Sequence, residues 1–222
     1  MEKDYYERNG QRYVRVSTVL NFFSTPDYLD YVLKKGKVEA AKATKEAMKI
    51  GTRVHELILE DCQSREAQPS KSDPIEVVNA YKAYREWRRE EKPAWINSEQ
   101  TVFCNCKLKY AGTYDWLGND LIDFKVSAKI RPSYFLQVAA YAHALECGTE
   151  IGTGKSVQST SIVRLDKNLG IYEIKTHQTW FSDFLTFIAM LAVYRYFNPD
   201  QEEISEKEIE YEPNFGPRIT DI

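Results

Sequence analysis

Two aspartates flank a short turn in the run GTYDWLGNDLIDFK, residues 112–125. If residues 118–120 form a three-residue turn, Leu117 pairs with Leu121, and Asp115 then faces Asp123. Opposed residues on antiparallel strands have β-carbons about 5 Å apart on one face, so two carboxylates there repel each other. A divalent cation is the natural compensation, because Mg²⁺ takes carboxylate oxygens as ligands. The spacing therefore predicts a metal site on a β-hairpin.

A lysine completes this pattern, because Lys125 lies two residues beyond Asp123 and on a strand projects to the same face. Its ammonium would then reach a metal-bound water or a phosphate. Ile122 and Phe124 point the other way, into a core. The alternative is an exposed hairpin face on which Asp115, Asp123 and Lys125 are solvated charges.

Two helices are positioned to contribute further groups. Gln137 and Tyr141 are four residues apart on a helix predicted over 132–146, so they share one face. His55 belongs to an earlier helix, in the run GTRVHE, and its imidazole would complete a metal shell.

The motifs G-T-x-x-H, G-T-Y-D, I-D-F-K and Q-x-x-x-Y, in this order between residues 51 and 141, resemble the PD-(D/E)xK nuclease superfamily. They are most similar to its RecB/Cas4-like branch, which includes small phage and mitochondrial single-domain exonucleases. The resemblance implies a DNA nuclease that depends on Mg²⁺ or Mn²⁺. By this resemblance the metal ligands are His55, Asp115 and Asp123, the catalytic group also includes Lys125, and the substrate-positioning pair is Gln137 and Tyr141.

Two details of the resemblance concern further ligands. Some members carry a glutamate on the strand before the hairpin, and Glu99 is the matching candidate for a metal ligand, with a surface residue as the alternative. Cas4-like members bear one cysteine ahead of the histidine motif and three near the C-terminus. This chain has no cysteine before His55 and none after Cys147, so no iron–sulfur cluster is expected.

The cysteines form no C-x-x-C pair, which argues against a zinc ribbon or a thioredoxin-type site. On a strand, Cys104 and Cys106 would direct both sulfurs to one face. Metal binding and ordinary packing are both open there, and packing is the preferred interpretation.

The hydrophobic periodicity predicts a mixed α/β (α+β) fold. The resemblance to the PD-(D/E)xK superfamily implies a restriction-endonuclease-like core, with a central mixed sheet flanked by helices. We expect a single domain over residues 1–199, with a helical N-terminal part over 1–92, a sheet with an embedded helix over 94–176, and a covering helix over 180–198. Residues 200–222 carry eight acidic and two basic side chains, so an acidic C-terminal tail is expected.

The 222 residues carry a net charge of −3, which neither requires nor excludes a polyanionic partner. No apolar run approaches the roughly 20 residues of a membrane span, and the polar start is unlike a signal peptide, so we expect a cytoplasmic protein without a membrane partner.

A weak cationic stripe for DNA follows one helix, with Lys42, Lys45, Lys49 and Arg53 as its members.

The expected function is a metal-dependent exonuclease in recombination, repair or phage DNA processing. Its partners would be linear DNA ends or single strands, and a single-strand-binding or recombination protein. The alternatives are a structure-specific endonuclease on the same fold and a noncatalytic module that binds DNA ends or a partner.

Overall fold

The computed structural model describes residues 4–23, 26–63, 66–147 and 157–199. These residues form seven strands and six helices, and the predicted mixed α/β class is confirmed. The strands are β1 Tyr5–Arg8, β2 Gln11–Arg15, β3 Asn97–Phe103, β4 Tyr110–Leu117, β5 Leu121–Lys125, β6 Thr160–Leu165 and β7 Tyr172–His177. The helices are α1 Val16–Phe22, α2 Pro26–Lys35, α3 Lys37–Cys62, α4 Ile75–Glu91, α5 Pro132–Cys147 and α6 Phe181–Phe197.

The strands make one mixed sheet in the order β1-β2-β4-β5-β6-β7, and β3 also pairs with β4. Strands β2 and β4 are parallel, as are β5 and β6, and the other neighbours are antiparallel. Strand β3 covers one edge of β4 almost throughout. The other edge of β4 is shared, with β2 at Tyr110 and Ala111 and with β5 at Trp116 and Leu117. The described strands therefore diverge beside the middle of β4.

Two hydrophobic cores lie on opposite faces of this sheet. One is built with α1, α5 and α6, and its largest buried side chains include Tyr110, Tyr114 and Phe187. The other is built with α3 and α4 around Trp87 and Phe124, whose ring centroids are 5.1 Å apart. Strand β5 alternates between them, because Leu121 joins the first core while Ile122 and Phe124 join the second. Asp123 and Lys125 share the face of Leu121, toward α5.

The pair Asn9-Gly10 is a sequence signal for a tight hairpin turn, and the structure has a turn there. Asn9 and Gly10 connect β1 to β2, and both have positive φ, 52° and 76°, as a two-residue hairpin turn requires. Gly36 follows the end of α2 with φ of 85°, a conformation that suits glycine. The acidic segment expected over residues 200–222 lies outside the described residues.

Cys104 and Cys106 do not lie on a strand, in contrast to the strand geometry considered from the sequence. Residues 104–109 instead form the connection between β3 and β4, closed by hydrogen bonds from the Cys104 amide to the Tyr110 carbonyl, 2.8 Å, and from the Lys109 amide to the Cys106 carbonyl, 3.3 Å. Lys109 has φ of 40°, which a regular strand does not allow.

Among the described helices, none combines the length and apolar character needed to cross a membrane.

Candidate active site

Three carboxylates stand level with one another on three adjacent strands. The pairs Asn97 with Leu117 and Gln100 with Tyr114 place Glu99 level with Asp115. The predicted pair Leu117 with Leu121 is present, and it is followed by Trp116 with Ile122. Extending this count by one residue beyond the last pair sets Asp115 opposite Asp123. We call Glu99, Asp115 and Asp123 the acid row.

The regular ladder between β4 and β5 ends at this row. The Phe124 amide donates to Asp115 Oδ2 at 2.7 Å, so a carboxylate accepts where a strand carbonyl otherwise would. On the other side, Glu99 has φ of 51°, a left-handed conformation that costs a non-glycine residue about 1 kcal/mol or more. The surrounding structure holds Glu99 in this state, which turns its side chain toward the row.

The helix α3 brings an imidazole to two members of the acid row. His55 Nδ1 lies 3.4 Å from Glu99 Oε1 and 3.5 Å from Asp115 Oδ1. Ligand atoms of His55, Glu99 and Asp115 all lie within 4.8 Å of one another. Burial lowers the pKa of His55, but Asp115 and Glu99 outweigh it and raise this pKa to about 10. The metal-free protein therefore holds an imidazolium where a cation would bind.

Asp123 is 1% exposed, and among the described residues neither of its carboxylate oxygens accepts a hydrogen bond. Lys125 Nζ meets Asp123 Oδ2 at 2.6 Å as an ion pair rather than an aligned hydrogen bond. Burial raises the pKa of Asp123 to about 6, with Asp115 adding to the rise and Lys125 opposing it. An unsatisfied buried carboxylate beside a carboxylate–imidazole cluster fits a hard divalent ion.

Lys125 keeps its charge in this setting. Burial alone would lower the pKa of Lys125, but the Asp123 and Asp115 carboxylates raise it above its ordinary value. The same lysine lies over the Tyr134 ring, 5.2 Å from its centroid. Asp115 is correspondingly held as a carboxylate, because His55 and Lys125 outweigh the effect of burial and lower its pKa.

The predicted positioning pair is together on α5. Gln137 Nε2 donates to the Tyr141 hydroxyl at 2.9 Å. Burial first, and then Asp123, raises the pKa of Tyr141 well above its ordinary value, so the phenol stays neutral. The Tyr141 ring packs on Gly112 of β4 so closely that a β-carbon on Gly112 would overlap it. The glycine of the G-T-Y-D motif thus makes room for the tyrosine of the Q-x-x-x-Y motif.

The cationic stripe lies on the N-terminal part of α3, ahead of His55. Lys42, Lys45 and Lys49 are exposed, and Lys49 pairs with Glu46 at 2.9 Å. Arg53 contacts acidic groups on its own helix and beyond it, namely Glu56 at 3.1 Å and Asp73 at 3.2 Å. A charged cavity of about 670 Å³ lies along α4 and at the C-terminal end of α3, and no residue of the acid row lines it.

One side chain that could ligate a metal, His143, was not among the candidates predicted from the sequence. His143 lies on α5 within reach of three cysteines. The available signal was its spacing, because His143 and Cys147 are four residues apart and so share a helical face.

No protein-family model and no curated protein matches this sequence. Several solved structures are similar to the fold, among them these two. One is an alkaline exonuclease, LHK-Exo from Laribacter hongkongensis, 14% identical, with a TM-score of 0.39, covering 85% of this chain and 92% of that chain. The other is LHK-Exo in complex with dAMP, 14% identical, with a TM-score of 0.37, covering 68% of this chain and 84% of that chain. At TM-scores this low, function has to be argued from the site itself.

The contact between Gly112 and Tyr141 predicts a large effect for one methyl group. We expect Gly112→Ala to lower the stability by about 1–3 kcal/mol, or roughly 3–10 °C in Tm, because the added carbon overlaps the Tyr141 ring. Gly51→Ala is the matched control, since Gly51 lies within α3 with open space around it, and it should raise Tm slightly. Equal melting temperatures for the two variants in differential scanning calorimetry would contradict this packing.

The buried charge of Asp123 predicts a stabilising substitution. Because the folded-state pKa of about 6 lies above the unfolded value of about 4, ionised Asp123 disfavours folding at neutral and alkaline pH. We expect Asp123→Asn in EDTA at pH 8 to raise Tm by about 2–8 °C. The gain should shrink as the pH falls through 6 and disappear below about 4, where the aspartate becomes neutral in both states.

The control for that experiment is Asp30→Asn, which removes a carboxylate from the exposed pair of Asp30 with Lys34. Its Tm should change little at either pH. A fall in Tm for Asp123→Asn at pH 8 would show that ionised Asp123 stabilises the metal-free fold.

Proposed function

We propose that the protein is a divalent-metal-dependent DNA exonuclease of the PD-(D/E)xK type, within the RecB/Cas4-like branch. One observation carries this proposal: Asp115 and Asp123 stand level on two strands that separate at this point, with Lys125 on the same face as Asp123. This arrangement gathers the carboxylates and the lysine of the motifs at one buried place. Glu99, level with Asp115 and 3.4 Å from His55, adds the carboxylate that some members of the superfamily carry.

The residues that would hold the metal are Asp115, Asp123, Glu99 and His55. When bound, Mg²⁺ or Mn²⁺ would activate a water molecule and stabilise negative charge on the scissile phosphate. His55 would have to lose its proton to act as a ligand, because its raised pKa favours the imidazolium and only the neutral ring offers a nitrogen lone pair.

Lys125 supports the reaction as a cation. Its raised pKa keeps the ammonium protonated, so Lys125 orients a water or phosphate oxygen and stabilises the developing negative charge rather than removing a proton. The ion pair of Lys125 with Asp123 holds the ammonium at the acid row before substrate arrives.

Tyr141 and Gln137 would position the DNA strand. The neutral Tyr141 hydroxyl accepts a hydrogen bond from Gln137, which leaves its own proton available to a phosphate oxygen. The exposed Lys42 and Lys45 lie on the helix that carries His55, where they would attract the DNA backbone.

The test uses end-labelled linear DNA and covalently closed circular DNA, single and double stranded, with Mg²⁺, Mn²⁺ or EDTA. We expect metal-dependent loss of linear DNA alone. The variants Asp123→Asn and Lys125→Met should each lower the rate on the order of 100-fold or more, because each removes charge that acts on the reacting phosphate. DNA affinity should be retained.

A matched control is available, because Asp30 and Lys34 form an exposed pair of the same types at 2.7 Å. Asp30→Asn and Lys34→Met should leave the rate close to that of the wild type. Cutting of circles would instead assign an endonuclease. Binding of DNA without degradation by any metal-loaded form would assign a noncatalytic module.

A further inference from the structure

A second cluster of metal-ligating side chains lies beyond the opposite end of β4. Cys104 and Cys106 belong to the connection between β3 and β4, and His143 and Cys147 lie at the end of α5. One ligand atom from each of the four residues lies within 4.8 Å of all the others. Asp115 lies five positions beyond Tyr110 along β4, a distance of about 17 Å, so the cluster is separate from the acid row.

Apart from a shorter contact between Cys104 and Cys106, the distances within the cluster are close to the edges of a small coordination polyhedron. Cys104 Sγ lies 2.6 Å from Cys106 Sγ and 3.3 Å from Cys147 Sγ. His143 Nδ1 lies 3.9 Å from Cys104 Sγ and 3.8 Å from Cys147 Sγ. Bonds of about 2.3 Å to sulfur and 2.0–2.1 Å to nitrogen, at tetrahedral angles, place ligand atoms roughly 3.5–3.8 Å apart. One ion fits among these atoms, whereas a multi-iron cluster needs them farther apart.

A neighbouring backbone amide favours the thiolate form of Cys106, and a tyrosine hydroxyl lies beside the imidazole. The Leu108 amide donates to Cys106 Sγ at 3.4 Å, and a hydrogen bond to sulfur stabilises a thiolate. The Tyr110 hydroxyl donates to the Ala140 carbonyl at 3.0 Å and lies 2.7 Å from His143 Nδ1. The Tyr110 oxygen is thus within hydrogen-bond distance of the imidazole nitrogen that faces the cysteines.

The imidazole is also fixed by packing. The His143 ring stacks on Phe184 of α6, with centroids 4.0 Å apart and planes 17° from parallel. Cys104 is fully buried, so the centre of the cluster is shielded from water. A ligand ring held in one orientation by its surroundings is typical of a metal site with a supporting shell.

We propose that Cys104, Cys106, His143 and Cys147 form a structural zinc site. Three sulfurs and one imidazole nitrogen are a donor set that zinc takes in tetrahedral geometry. With four protein ligands the site is closed, so it has no open position for catalysis. Ordinary packing was the interpretation preferred from the sequence. It does not explain why three thiols and one imidazole come together.

The site would connect the two parts of the fold that the acid row depends on. Two ligands precede β4, which carries Gly112 and Asp115, and two ligands end α5, which carries Gln137 and Tyr141. A single ion joining them fixes how α5 lies along β4 and so keeps Tyr141 on Gly112. This inference concerns the stability of the fold and holds whether or not the protein is a nuclease.

The experiment measures metal in the full-length protein, purified under reducing conditions without chelators, by inductively coupled plasma mass spectrometry. We expect about one zinc ion per chain. Replacement with Co²⁺ should give the charge-transfer absorption of cobalt–thiolate bonds, which a site of carboxylates and imidazole cannot give. Stripping the zinc should lower Tm, and adding zinc back should restore it.

The variants Cys106→Ser and His143→Asn should each reduce bound zinc to about a tenth or less of the wild-type value. Cys62→Ser is the matched control, because Cys62 is buried in the other core, and it should retain the zinc. Asp123→Asn should retain it too, which separates this metal from any metal at the acid row.

Several results would overturn the proposal. These are wild-type protein without zinc or a cobalt–thiolate spectrum, iron with the visible absorption of a cluster, a disulfide between Cys104 and Cys106, or full zinc retention in both ligand variants. If those variants do not fold, the metal content and cobalt spectrum of the wild-type protein decide the question by themselves.

Discussion

Two aspartates held level on neighbouring strands repel each other, and burial makes that repulsion costly. Two positively charged side chains offset this repulsion: Lys125 on β5 contacts Asp123, and His55 on α3 contacts Asp115. The two aspartates are therefore largely neutralised without a metal. Asp123 still has no hydrogen bond from the described residues. The fold thus retains an unfavourable carboxylate at its centre, as is common where a protein is shaped for a ligand rather than for its own stability.

The sheet makes this arrangement possible by dividing one edge of β4 between two partners. Strand β2 pairs with the start of β4 and β5 with its end, so the strands separate beside the acid row. A continuous ladder would fill this space with backbone hydrogen bonds and leave no opening toward the carboxylates. The Phe124 amide, which bonds to Asp115 instead of a strand carbonyl, marks the point of separation.

The helix α5 links the acid row to the cysteine cluster. Its middle packs Tyr141 against Gly112, and its end brings His143 and Cys147 to the connection between β3 and β4. The position of α5 along β4 therefore affects both places at once. The zinc site that we propose would stabilise this position by a small number of strong bonds, independently of the apolar core between α5 and α6.

The sequence by itself determined the features that depend on local chemistry. Asn9 and Gly10 specified the first hairpin, and the spacing around residues 118–120 specified the pair of Leu117 with Leu121 and hence the level of Asp115 and Asp123. Turn residues and side-chain periodicity act over a few positions, so they can be read directly from the chain. For the same reason the helices predicted over 132–146 and 180–198 are found at Pro132–Cys147 and Phe181–Phe197.

Only the tertiary structure decided which distant residues meet. Glu99 joins His55, 44 residues earlier, because the backbone at Glu99 adopts a left-handed conformation that no local pattern announces. Cys104 meets His143 across 39 residues because α5 packs on the sheet in one particular position. Periodicity places a residue on a face of its own element, but the contacts between elements depend on how whole faces pack together. Local sequence therefore determines the hairpin that carries the two aspartates, whereas the packing between elements determines which other side chains surround it.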